Sequence, residues 1–129
     1  MFLLDTNACL DFLLLRNRHV FGRVGENFTA LSVSTITVAE LRVGSKATSD
    51  PKSEDRKLDE FLASISVEPF SGEAAAHYGA IIRTVGMDRR SFDRLIAAHA
   101  VSLNRCLVTN NERDFADVPG LRVENWAAA

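Results

Sequence analysis

MFLLDTNACLDFL (residues 1–13) opens the chain, and the step at residue 5 decides how the rest is read. Phe2 to Leu4 form an apolar run too short for a helix. It is broken by Asp5-Thr6-Asn7, and Ala8 to Arg18 then read as a helix. An unalternating apolar strand implies that both of its faces are covered, as in a parallel sheet between helices. Further along, LSVSTI (31–36) is β-branched and alternating, a second strand, and TVAELRVGS (37–45) starts a helix. GSKATSDPKSED (44–55) reads as a loop joining two helices. Leu58, Phe61, Leu62 and Ile65 follow at i, i+3, i+4, i+7 spacing, predicting a helix over 54–65. SVEPF (66–70) reads as a short strand or extended link. Ser71 is placed to cap a helix with Ala74, Tyr78, Ile81, Ile82 and Val85 on its apolar face and Gly86 as its stop. Ser91 caps another, carrying Leu95, Ile96, His99 and Leu103. CLVT (106–109) and LRVENW (121–126) read as the last strands. Alternation of strand and helix predicts an α/β fold with a central, mainly parallel sheet and helices on both faces. Ligands bind such sheets at the carboxyl ends of the strands.

Composition narrows the class. The 129 residues, 47% hydrophobic and 25% charged, fit a single globular domain over 1–129. Cys9 and Cys106 are too few for a disulfide framework, so a reducing compartment is expected. No apolar run reaches the ~20 residues that span a bilayer, and the amino terminus lacks a signal-peptide pattern. A cytoplasmic protein without membrane contact is therefore expected. A net charge of -2 argues against general polyanion binding. Twelve of the fifteen basic residues are arginine, which leaves room for a local phosphate-binding patch.

Four acids fall at strand exits or in the first helical turns: Asp5 after the first strand, Glu40 after the second, Asp93 behind Ser91, and Asp114 after CLVT. Each has a plain structural use. Asp5 closes an Asx-turn or caps a helix, Thr37 and Glu40 have the spacing of a capping box, and Asp93 and Asp114 suit a helix dipole. Gathered on one sheet edge, they conflict, because two carboxylates about 4 Å apart repel by roughly 4 kcal/mol at an effective dielectric near 20. A divalent cation removes that conflict, and an all-oxygen set suits Mg²⁺ or Mn²⁺. No His or Cys pair has the spacing that zinc needs.

LLDTN, ITVAEL, DRLIAAHA and LVTNNERDF…VPGLRVENW, in this order over essentially the whole chain, resemble the PIN-domain ribonucleases, specifically the VapC-type toxins of bacterial toxin–antitoxin pairs. The resemblance implies a PIN-like three-layer α/β/α fold and a Mg²⁺-dependent endoribonuclease, with Mn²⁺ able to substitute. It implies that Asp5, Glu40, Asp93 and Asp114 are catalytic, with Asp5, Asp93 and Asp114 holding metal and Glu40 either a ligand or the group orienting the attacking water. Thr6 or Asn7 support the site, and Thr109 and Asn110 sit at its rim. Asn111, Glu112 and Asp117 are read as loop residues. The implied partners are RNA (transfer RNA among the family's substrates), a small VapB-type antitoxin, a second copy in a homodimer, and a higher toxin–antitoxin assembly.

One stretch departs from the family pattern. Where an apolar residue and a glycine often precede the third acid, this chain has Arg89-Arg90-Ser91-Phe92. With Arg94, three arginines flank Asp93, read either as a clamp for RNA phosphate or as solvated surface. The remaining candidates are plainer. His99 belongs to an apolar helix face, His19 and His77 to the surface, and Cys9, Cys106 and Trp126 to packing. A receiver-type phosphoacceptor would need paired acids after the first strand and a late lysine, yet all three lysines lie in 46–57. A haloacid dehalogenase-type phosphotransferase would need D-x-D, where this chain has Asp5-Thr6-Asn7. A catalytically silent PIN-like module binding RNA or a protein partner is the remaining alternative.

Overall fold

The computed structural model describes residues 1–44 and 49–128. Its sheet has five strands, all parallel: β1 (Phe2–Leu4), β2 (Leu31–Ser34), β3 (Ser66–Glu68), β4 (Cys106–Val108) and β5 (Val123–Glu124), in the order β3-β2-β1-β4-β5. The first strand is the central one. Phe2 pairs with Leu31 on one side and Cys106 on the other, and Leu4 pairs with Val108.

Among the described residues six α-helices accompany the sheet: α1 (Thr6–Leu13), α2 (Arg18–Glu26), α3 (Thr35–Gly44), α4 (Pro51–Ser64), α5 (Gly72–Val85) and α6 (Phe92–Leu103). Successive side chains of a strand point to opposite faces, so β1 and β4 feed two cores. Leu4 and Val108 pack with Ala8, Val20, Val24, Leu58, Phe61 and Trp126 on the α1, α2 and α4 side. Leu3 and Leu107 pack with Ile81, Ile96 and Phe115 on the α5 and α6 side. This is the expected three-layer arrangement. Leu3, Leu4 and Leu107 have no exposed surface, and truncating any one to alanine costs about 2–5 kcal/mol by the usual transfer and cavity terms.

Several boundaries differ from the sequence reading. The second strand ends at Ser34 and α3 starts at once, because the Ser34 hydroxyl accepts from the Ile36 amide at 3.0 Å. The helix read over 8–18 ends at Leu13, and a separate α2 begins behind Asn17, whose side chain accepts from the amides of His19 and Val20. No helix over 18–26 was expected. The loop read over 44–55 is shorter than expected, since α4 starts at Pro51 with Asp50 as its cap; residues 45–48 lie outside the described residues. Only Val123–Glu124 of LRVENW is strand. Both serine caps are present, Ser71 accepting from Ala74 and Ser91 from Arg94. Gly86 ends α5 at φ 103°, where an added Cβ would come within 2.9 Å of the Asp88 carboxylate. Among the described residues, no helix is long and apolar enough to cross a membrane.

Candidate active site

The carboxyl edge of the sheet is built by three strand exits. Asp5 leaves β1, held from both directions: its amide donates to the Val108 carbonyl at 3.0 Å, and its carboxylate accepts from the Ala8 amide at 2.8 Å. Cap and candidate ligand are therefore one residue, since only one oxygen is used by that amide. Glu40 is on α3, reached from β2. Its Oε1 accepts from the Thr6 hydroxyl at 2.6 Å, which ties α3 to the first turn of α1. The capping box with Thr37 does not form. Thr37 is fully buried inside α3 with its hydroxyl unpartnered, because the helix already begins at Thr35, three residues earlier than a Thr37 cap supposes. Asp93 lies in the first turn of α6, behind the Ser91 cap. Asp114 lies in a 3-10 turn, Glu112–Phe115, after β4, and its carboxylate accepts from Asn111 at 2.5 Å. Asn111 is in turn fixed by its amide donating to the Thr109 hydroxyl at 3.0 Å.

Electrostatics link the four. Burial pushes the Asp5 carboxyl up to about 6; the Thr109 hydroxyl and Ala8 amide oppose this, and the charges of Asp93 and Asp11 add to it. Asp93 is also raised, by burial and then by Glu40 and Asp114. Asp5 thus feels Asp93, and Asp93 feels Glu40 and Asp114, so the fold brings all four acids into one field. Among the described residues, none of the four has an ion-pair partner. Equally, no group of three or more acid, His or Cys side chains there is placed closely enough to hold a metal ion by itself. The edge is an open set of oxygen donors, suited by chemistry to a hard divalent cation that completes its shell with water and substrate oxygens.

The supporting residues divide. Thr6 holds Glu40, and Thr109 is buried beside Asp5. Asn110 turns away from the four acids and donates to Asp11 at 3.0 Å. Asn7 is exposed at the start of α1. The arginines differ more from expectation. Arg94 is buried at 4% exposure, and both terminal nitrogens donate to Asp117, at 2.5 and 3.2 Å. Arg89 donates to the same carboxylate at 2.9 Å. A three-arginine phosphate clamp is not what this geometry presents, because two of the three guanidiniums are engaged. Arg90 alone makes no ion pair among the described residues; its Nε donates to the Met87 carbonyl at 3.1 Å.

Two acids escaped the sequence reading. Asp117, read as a loop residue, is pulled down to about 2, chiefly by the hydrogen bond from Arg94. Asp11 is buried, bound by Asn110 and by Arg16 at 3.1 Å. Its signal was an acid on the buried face of α1, next in line after Ala8 and Cys9. His99 is buried, its ring edge-on to the Phe70 ring, and burial lowers its pKa. Trp126 is a packing residue, 1% exposed, 5.0 Å from Phe2, with Arg23 over its ring.

Residues 2–121 match the PIN domain family model. This chain is a PIN domain. Its full-length similarity is to VapC ribonucleases. It is 32% identical over 128 residues to the tRNA(fMet)-specific endonuclease VapC of Salmonella typhimurium, covering 97% of both chains. It is 34% identical to Ribonuclease VapC2 of Haemophilus influenzae, again covering 97% of both. In three dimensions it superposes on a chain of the DNA-bound VapBC crystal structure from Salmonella typhimurium with a TM-score of 0.87 at 32% identity, covering 97% of each. The PIN fold thus accounts for the parallel sheet, and its carboxyl edge is where Asp5, Glu40, Asp93 and Asp114 share a field.

Proposed function

We infer that this PIN domain is an endoribonuclease toxin of the VapC type, spanning 1–129 as one domain, and that its activity depends on Mg²⁺ or Mn²⁺ held by Asp5, Asp93 and Asp114. The observation that carries the reading is the edge of four coupled carboxylates without a cationic partner among the described residues. A fold tolerates unpaired acids in one field poorly, and pKa values raised in this way mark functional sites more often than structural ones.

When bound, the cation acidifies water and neutralises charge developing on the phosphoryl oxygens. The protein's own part is positional. Asp5 is fixed by the Ala8 amide, the Val108 carbonyl and the Thr109 hydroxyl, so its carboxylate keeps one direction. Glu40, oriented by Thr6, leaves one oxygen to align or deprotonate the attacking water. Asn111 steadies Asp114 at the rim. Among the arginines, Arg90 is the one placed to meet a substrate phosphate, alongside Asp93 and Asp114 in a shared cavity of about 260 Å³.

The substrate class is RNA, and the initiator tRNA named for the Salmonella and Shigella relatives is the first to test. The solved VapBC complexes support a small VapB-type antitoxin as partner, and a homodimer and higher toxin–antitoxin assembly belong to the same reading. Purified protein should cleave initiator tRNA with Mg²⁺ or Mn²⁺ and stop in EDTA. Full activity in chelator would remove the metal from the mechanism, and RNA binding without cleavage under any divalent ion would leave a silent binding module.

A further inference from the structure

Opposite charges lining one small cavity ordinarily pair, yet here they do not. Arg89, Arg90 and Arg94 share the 260 Å³ cavity with Asp88, Asp93 and Asp114, and among the described residues none of these three acids forms an ion pair. Arg94 is adjacent to Asp93 in sequence, on the same turn of α6, and its charge is felt by Asp93. Both Arg94 and Arg89 instead turn to Asp117, three residues beyond Asp114, which accepts three hydrogen bonds from them.

We propose that Asp117 is a positioning residue that holds Arg89 and Arg94 off Asp93 and Asp114, keeping those carboxylates open for a divalent cation. The proposal rests on the nuclease reading of the acid edge. A guanidinium matches a carboxylate fork to fork. With Asp117 neutralised, the acids left lining the cavity for two freed arginines are Asp93, Asp114 and the exposed Asp88, and an arginine paired with either of the first two competes with metal. A simple brace for the 112–118 segment is the other use of such a pair. That segment is already tied to the α6 core by Phe115 and Val118, 2% and 6% exposed, so a brace adds little.

The two roles separate in Mn²⁺ titration calorimetry on purified variants, with circular dichroism confirming the fold of each. Asp117→Asn should weaken Mn²⁺ binding about tenfold or more, the usual effect of removing a group that orients metal ligands. Arg94→Met alone should stay within about twofold of wild type, because Asp117 keeps Arg89 and gains no rival. The triple variant Arg89→Met, Arg94→Met, Asp117→Asn should return close to wild type, since no arginine remains to release. At saturating Mn²⁺, Asp117→Asn should recover kcat with the KM for RNA unchanged. Unaltered Mn²⁺ affinity in Asp117→Asn overturns the proposal. So does a triple variant as weak as Asp117→Asn, which would assign a brace. If Asp117→Asn does not fold, the triple variant and Arg94→Met decide, a tenfold loss in either counting against it. Asp93→Asn separates the premises: if it binds Mn²⁺ like wild type, the acid edge is not the cation site; if it loses binding while Asp117→Asn does not, only the role of Asp117 fails.

Discussion

Asp5 and Asp117 are two aspartates beside the same group of acids, with opposite electrostatic fates. Asp5 is 3% exposed, keeps one amide and one hydroxyl for company, and is pushed up to about 6. Asp117 has a side chain 35% exposed, grips two guanidiniums, and is held down near 2. A carboxylate whose folded pKa lies above its ordinary value is disfavoured when charged, and the fold retains that disadvantage. A carboxylate below its ordinary value is a stabilising ion-pair partner. On one sheet edge, the first carboxylate is set by burial and neighbouring acids and the second by two guanidiniums.

The largest effect that could break this contrast is on turnover. Asp5→Asn and Asp93→Asn keep size and much of the capping ability, and each should lower RNA cleavage by roughly a hundredfold to a thousandfold with an unchanged dichroism spectrum. Equal activity with lowered stability would reduce both residues to caps.

Next in size is the pH dependence of metal binding. Ligand carboxylates must be deprotonated, so Mn²⁺ affinity should rise about tenfold between pH 5 and 7 and level off above that, following Asp5 through about 6. A flat calorimetric profile across that range would place Asp5 outside the ligand set.

Stability without metal gives a smaller and oppositely signed pair. The raised pKa of Asp5 means that wild type loses stability as pH rises from 3.8 through about 6, by up to about 3 kcal/mol. Asp5→Asn should therefore melt higher than wild type in EDTA at pH 7.5, and the gap should close by pH 4. Asp117 contributes in the other direction. Its stabilisation is complete above the ordinary 3.8 and fades as pH falls through about 2. Asp117→Asn should melt lower than wild type by a constant small amount from pH 7 to 5, a difference limited by solvent screening of a part-exposed pair. A gap that changes between pH 7 and 5 would mean that another group titrates with it.

Much of the fold was readable because its strands are short apolar runs with polar exits and two of its helices start at serines that do cap them. α2 was hidden because RHVFGRVGE holds two glycines and only Val20 and Val24 buried, too few to mark a period. The acids at strand exits were visible as a set because their one-dimensional position fixes their edge. The partnership of Asp117 was not, since nothing in the spacing of residues 89, 94 and 117 says that a turn after β4 folds back over α6. Arginine beside an acid in sequence suggested a shared phosphate site; the bonds of Arg89 and Arg94 to Asp117 leave Arg90 as the one of the three without an ion pair among the described residues. Thr37 and Glu40 misled for a related reason: the helix start was set by Ser34, three residues before the expected cap at Thr37.

The central place of β1 has a consequence for timing during synthesis. The first strand to leave the ribosome pairs with β2 after about thirty residues, but its other neighbour, β4, begins at Cys106. Asp5 takes its amide bond from Val108, and Asp93 and Asp114 arrive with the same late segment. Sheet closure therefore depends on contacts spanning most of the chain, the slow class of pairing. A nascent polypeptide carries the first half of the acid edge for most of its elongation without the second. The acid edge of this topology is thus brought together only after β4 has paired with β1.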